Sequence, residues 1–243
     1  MSKFGLIGKN IGYSFSKKYF SEKFEQDNLP HTYENFDIPS IEFFPNILSE
    51  TQNLKGLSVT IPYKQEIIPF LDNLSEEAKR IGAVNTIKIT EDKKTTGYNT
   101  DHFGFQKALE AYLPLQQKTA LILGTGGASK AVAYALDNLD FKYKFVSRKT
   151  GVNSLVYSEL SQEIVENHLL VINCTPLGTF PNITNCPPIP YQFLTESHLL
   201  FDLIYNPSET EFLKRAKLQG AKTSNGLRML ELQAEKAWEI WNS

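Results

Sequence analysis

Leu121-Ile122-Leu123-Gly124-Thr125-Gly126-Gly127-Ala128-Ser129-Lys130 runs an apolar strand straight into three glycines, and a helix of small residues, Ala131, Ala133 and Ala135, follows at once. A pyrophosphate site needs that order. The first glycine makes a tight turn, the second lets main chain approach phosphate oxygens, and the helix N-terminus offers unpaired N–H donors at its positive end. The spacing is G-x-G-G-A-S, without the third glycine of the usual dinucleotide fingerprint. The next expected strand, Phe141–Val146, ends in Ser147-Arg148-Lys149. An NAD site would place an acid there to grip the ribose 2′-hydroxyl, whereas two cations suit a 2′-phosphate, which Arg holds through paired hydrogen bonds. The reading is therefore NADP over NAD. Taken alone, Arg148 and Lys149 also read as a solvated strand end.

About a hundred residues precede this turn, enough for a separate domain that brings a substrate to the cofactor. The whole chain of 243 residues suits one large or two small domains. A formal net charge of −2, with no basic stripe, gives no reason to expect a nucleic acid or membrane partner. No apolar run approaches a bilayer span, and the lysines at 3, 9, 17 and 18 surround no apolar signal core, so a cytoplasmic protein is expected. The two cysteines, Cys174 and Cys186, lack metal-ligand spacing, and the four histidines show none either, so no metal is expected. A monomer or homodimer is equally compatible with the sequence.

The first half alternates strands and helices. Strands are expected at Phe4–Ile7, His31–Phe36 and Leu57–Thr60, and helices at 16–27, 41–48 (with Pro45 interrupting) and 75–81, where Ser75 caps. Val84–Ile89 and Thr95–Tyr98 read as a hairpin, and Asp101 opens a helix ended by Pro114. In the second half, strands near 119–123, 142–147, 169–173, 199–203 and 222–224 alternate with helices at 127–138 and 208–219, which argues for a parallel sheet. The stretch 149–168 is short for a full helical crossover. A last helix over 227–241 carries the stripe Leu227, Leu230, Ala234, Trp238 and Trp241, expected to pack back onto the first domain.

Several short segments, in order along essentially the whole chain, resemble the shikimate dehydrogenase family. They are Ser14-Phe15-Ser16, Ser58-Val59-Thr60-Ile61-Pro62-Tyr63-Lys64, Gly82-Ala83-Val84-Asn85-Thr86 and Gly97-Tyr98-Asn99-Thr100-Asp101, then Gly124–Ser129, Asn173-Cys174-Thr175-Pro176 and Gly226–Ala234. The resemblance implies an α/β fold: an N-terminal substrate domain over 1–101, a Rossmann-like NADP domain over 102–225, and a C-terminal helix, 226–243, completing the first. It implies NADPH-dependent reversible reduction of 3-dehydroshikimate to shikimate. Carried over by motif, Lys64 and Asp101 resemble the catalytic pair, Ser14 and Ser16 the hydroxyls for a substrate carboxylate, and Thr60, Asn85, Tyr205 and Gln233 further substrate contacts. The implied cofactor set is Gly124, Gly126, Gly127, Ala128, Ser147, Arg148, Lys149, Thr175 and Gly226. The chain departs from the family pattern at Lys17, where a proline is usual, at Ser58, where asparagine is usual, and at Ser147-Arg148-Lys149, which replaces Asn-Arg-Thr.

Elementary chemistry favours these residue types. Hydride arriving at a ketone leaves an alkoxide, which a nearby ammonium stabilises and protonates. Lysine suits that role because its pKa shifts readily on burial. A carboxylate such as Asp101 would fix the amine and bind a substrate hydroxyl, while Thr, Asn and Gln supply donors and acceptors to a polyhydroxylated ring. Each also has an ordinary reading: Lys64 as a surface lysine, Asp101 as a helix cap, Ser14 and Ser16 as a helix start, Asn85 as a turn residue, Gln233 as part of a solvated face. Two alternatives stay open: a quinate/shikimate enzyme using NAD, and a non-catalytic binder of nucleotide or metabolite.

Overall fold

The computed structural model describes residues 1–12, 14–149, 151 and 154–243. They form two compact units, Met1–Thr100 with Ala234–Ser243, and Asp101–Gln233.

The first unit contains β1 (Lys3–Gly8), α1 (Phe15–Gln26), β2 (Thr32–Asp37), α2 (Phe44–Glu50), β3 (Leu54–Val59), β4 (Asn73–Leu74), α3 (Glu76–Ile81), β5 (Thr86–Ile89) and β6 (Thr95–Tyr98). Its sheet has the order β2-β1-β3-β5-β6-β4. The β2-β1-β3 part is parallel, and β5 joins β3 and β6 antiparallel, so the expected hairpin is present. Local chemistry sets the helix ends. Ser14 caps α1 by accepting from the Lys17 N–H. Ser75 caps α3, whose acids lie in the first turn and whose bases lie in the last, before Gly82 closes it with φ +67°. Pro45 does not break its helix. A short 3-10 turn over Ile41–Phe43 leads in, and the proline falls in the first turn of α2, where its missing N–H costs nothing.

Both faces of this sheet are covered. One carries Ile7, Phe44, Leu57, Val59, Tyr63, Ile67 and Ile87. The other carries Phe4, Phe20, Phe24 and Tyr33, joined by Ala234, Ala237 and Trp241 of the last helix, α8 (Leu227–Asn242). The Trp241 Nε1–H donates to the Ile87 carbonyl at 3.0 Å, and its ring lies where a side chain on Gly56 would stand. The C-terminal helix thus returns to the first sheet. Leu227, expected in the apolar stripe, is exposed, and buried Ala237 takes part instead.

The second unit contains α4 (Asp101–Glu110), β7 (Thr119–Leu123), α5 (Gly127–Asn138), β8 (Lys142–Ser147), β9 (Ser154–Val156), α6 (Gln162–Glu166), β10 (Leu170–Asn173), β11 (Leu199–Asp202), α7 (Glu211–Leu218), β12 (Lys222–Ser224) and the start of α8. Its sheet is parallel throughout, in the order β12-β11-β10-β7-β8-β9. That is the dinucleotide-fold order, with the direction of winding reversing between β7 and β10. Buried side chains of α4 and α5 pack one face (Phe105, Leu109, Val132, Leu136), and those of α7 with Val165 of α6 pack the other. Strand β9 was not expected from the sequence. It is three residues long and only partly buried, too short for an apolar pattern to register. The short crossover holds β9 and the five-residue α6 in place of a long helix.

Candidate active site

In open parallel sheets, ligands bind beyond the carboxyl ends of the strands where the winding reverses. Here that place lies after Leu123 of β7 and Asn173 of β10, which are paired in register. The glycine turn leaves β7 there. Gly124 has φ +103°, a conformation open to glycine, and its N–H donates to Val146 O at 2.8 Å. Gly126 precedes α5 without a side-chain cap, and a Cβ added to it would meet nothing within 4 Å. The main chain at Gly126, Gly127 and Ala128 is therefore accessible at a helix N-terminus, as an anionic pyrophosphate requires. Ser129 does not cap the helix. Its buried hydroxyl donates back to Gly126 O at 2.7 Å and braces the turn.

The opposite wall is the turn after β10. Thr175 donates its N–H and its hydroxyl to Asn173 Oδ1 at 3.0 and 2.6 Å. A Cβ on Gly124 would stand 3.2 Å from the Thr175 methyl. The structure thus brings Gly124 and Thr175 together. Gly226 plays a different part. A Cβ there would run into Leu203 O, and its N–H donates to Ile204 O at 3.0 Å, so it packs the start of α8 against the end of β11. Beyond β8, Arg148 and Lys149 are exposed. Ser147 shapes their turn: its hydroxyl bonds to Lys149 O and accepts the Lys149 N–H. These residues fit an NADP cofactor, with accessible amides for the pyrophosphate and two cations for a 2′-phosphate.

Among the substrate-side candidates of the first unit, Ser14 and Ser16 stand at the start of α1, Thr60 follows β3, and Asn85 precedes β5, which pairs with the end of β3. Thr60 extends the ladder past β3 with its N–H on Ile7 O at 2.9 Å, and Lys64 fixes its main chain by accepting the Val84 N–H at 2.7 Å. Asn85 is buried, not a solvated turn residue. Its Oδ1 accepts the Thr100 N–H at 2.6 Å, its Nδ2 donates to Thr100 Oγ1 at 3.0 Å, and its carbonyl receives the Val59 N–H at 2.8 Å. Thr60, Lys64 and Asn85 are therefore tied through one main-chain network. The capping role of Ser14 uses an oxygen lone pair and leaves the hydroxyl proton for an anion. Tyr33 was not among the residues expected from the sequence. Its buried hydroxyl donates to Ser58 Oγ at 2.9 Å and is bonded by Ser16, while burial raises the phenol pKa well above its usual value. Only the tyrosine in a strand of mostly polar residues signalled it.

In the second unit, Asp101 is the first residue of α4 and is buried. Gly104, one turn on, lets α8 approach so closely that an added Cβ would stand 2.5 Å from Met229 O and 3.0 Å from the Gln233 Cβ. Asp101 and Gln233 thus lie on the same pair of helices. Gln233 is buried, with its Nε2 on Leu230 O at 2.9 Å, so the solvated-face reading fails. Tyr205 follows β11 and is half-buried. The His102 ring meets Tyr134 edge-on at 5.0 Å, as a packing histidine does.

Known proteins match this architecture over its full length. A family profile described as the shikimate dehydrogenase substrate binding domain matches residues 6–87. A Clostridium perfringens protein named shikimate dehydrogenase (NADP(+)) is 40% identical, over 100% of this chain and 93% of the relative. The chain belongs to the shikimate dehydrogenase family. Among solved structures, the Thermus thermophilus shikimate 5-dehydrogenase in complex with NADP(H) and shikimate superposes with a TM-score of 0.87 at 33% identity, covering 99% of this chain and 93% of the other. A Corynebacterium glutamicum quinate dehydrogenase in complex with NAD superposes with a TM-score of 0.88 at 28% identity, covering 99% and 93%. The family's Rossmann-like domain corresponds to the parallel sheet that ends in the glycine turn.

Proposed function

We propose that this chain catalyses the reversible, NADPH-dependent reduction of 3-dehydroshikimate to shikimate, a step of aromatic amino-acid (chorismate) biosynthesis, acting in the cytoplasm as a monomer or homodimer. Full-length similarity to a named NADP(+) enzyme, joined to a glycine turn at the winding reversal, carries the reading. Bound NADPH supplies the hydride. The chain's residues bind, orient and move the proton. Ser14 and Ser16 donate to the substrate carboxylate. Thr60, Asn85, Tyr205 and Gln233 contact the ring oxygens and select the hydroxylation pattern, since an analogue lacking a hydroxyl leaves a buried partner unpaired. Lys64 Nζ protonates the oxygen that becomes the new hydroxyl and regains a proton from solvent afterwards, and the Asp101 carboxylate accepts a hydrogen bond from a substrate hydroxyl. Main-chain N–H groups at Gly124, Gly126, Gly127 and Ala128 hold the pyrophosphate. Arg148 and Lys149, in the turn shaped by Ser147, hold the 2′-phosphate, which favours NADP over NAD. Thr175 completes the cofactor side, and Gly226 supports it by packing the start of α8 against the end of β11.

The proposal is tested by loss of reduced-nicotinamide absorbance when purified protein meets 3-dehydroshikimate and NADPH. Turnover is expected, faster than with NADH. No turnover with either dinucleotide overturns the proposal in favour of a non-catalytic binder, and faster NAD-linked oxidation of quinate than of shikimate overturns it in favour of a quinate enzyme.

A further inference from the structure

Asp202 is a carboxylate that the proposed chemistry leaves unused. It ends β11 after Leu199, Leu200 and Phe201 and is fully buried. Among the described residues, its hydrogen-bond partners are neutral donors: Asn173 Nδ2 at 3.0 Å and the Ile204 N–H at 3.1 Å on Oδ1, and the Thr210 hydroxyl at 2.5 Å on Oδ2. Burial pushes its pKa up to about 6. A buried acid with neutral partners is a costly way to fill a core, so what its bonds accomplish matters.

They orient Asn173. The two residues are paired in register between β10 and β11. An ionised carboxylate only accepts, so it fixes the amide of Asn173 with its NH2 end inward. The Asn173 Oδ1 must then face the other way, where it receives both the N–H and the hydroxyl of Thr175. Thr175 in turn lies against Gly124, the first glycine of the turn. A continuous series of hydrogen bonds therefore runs from a core acid to one wall of the crevice at the winding reversal. Thr210 braces the far side, since its oxygen also accepts the Leu213 N–H that starts α7.

We infer that Asp202 is a positioning residue for the nucleotide: through the amide of Asn173 it holds Thr175 in place beside the glycine turn. The inference rests on the NADPH-binding reading above. It is tested by titrating NADPH fluorescence, with the KM for 3-dehydroshikimate and the thermal midpoint measured in parallel, on Asp202→Ala, Asp202→Asn, Thr175→Val and the Asp202→Ala/Thr175→Val double variant. Asp202→Ala should raise the NADPH Kd about tenfold while the substrate KM changes by less than about twofold. Asp202→Asn still presents an acceptor to Asn173 and should stay within about threefold of wild type. In the Thr175→Val background, Asp202→Ala should add less than about twofold, because both changes cut the same series of bonds. Should Asp202→Ala not fold, Asn173→Ala carries the same expectations. Unchanged NADPH affinity, equal losses for NADPH and substrate, or full additivity with Thr175→Val overturns the inference alone. A wild-type chain that binds no NADPH overturns the parent reading and this one with it.

Discussion

Arg148 and Lys149 stand exposed just past β8, where the sequence places them by strand length alone. A bidentate Arg–phosphate contact made only by the 2′-phosphorylated cofactor gives a direct prediction. Arg148→Ala should raise the KM for NADPH about tenfold and leave that for NADH within about twofold; steady-state kinetics with both cofactors measures this, and equal changes refute the assignment. Asp202 supplies a second prediction at this scale. The unfolded chain loses the Asp proton near pH 4, whereas burial holds it in the fold until about pH 6. Ionisation therefore favours unfolding across that window: the group's contribution to stability is full below about pH 4 and is lost as pH rises through about 6. Urea midpoints of wild type minus Asp202→Asn should fall over that range and level off above it, and a flat difference contradicts the burial argument. The acid was not legible as functional. A strand-ending Asp looks the same in sequence whether solvated or buried, and only the register with Asn173 shows what it holds.

Elements long enough to show a period were legible, and of the shortest strands only β12 was. The strand into Gly124, the small-residue helix after it and the capped α3 follow from local chemistry: the first two end where expected, and α3 begins one residue later because Ser75 is its cap. Two-residue β4 and three-residue β9 carry no readable pattern and exist because a neighbouring strand offers an edge. The apolar stripe of α8 was readable, but its contacts were not. Trp241 fills the space that Gly56 leaves open and hydrogen-bonds β5, so the glycine and the tryptophan are one packing decision made far apart in sequence. Trp241→Ala should cost about 3–5 kcal/mol of stability through the cavity and the lost bond. Chemical denaturation followed by far-UV circular dichroism checks it, and a loss under about 1 kcal/mol shows that the ring does not anchor the helix.

Two folded units, each with its own sheet and core, make up the molecule, and α8 begins in the second unit and ends in the first. Alternating strands and helices after residue 119 made the parallel sheet legible, and the position of the glycine turn made a preceding domain legible. The substrate-side residues were readable only through family resemblance, because Lys64, Asn85 and Gln233 each have an ordinary reading in sequence; burial removes the solvated-face reading of Gln233 and places Asn85 inside the fold, while Lys64 is half-buried. The proposed chemistry turns on Lys64 delivering a proton to the product oxygen. The deciding measurement is the rate of NADPH oxidation by 3-dehydroshikimate in Lys64→Ala against wild type, with NADPH affinity determined on the same preparations. A fall of about 10²-fold or more in turnover is expected, with NADPH still bound. Near-normal turnover in the alanine variant contradicts the role given to Lys64.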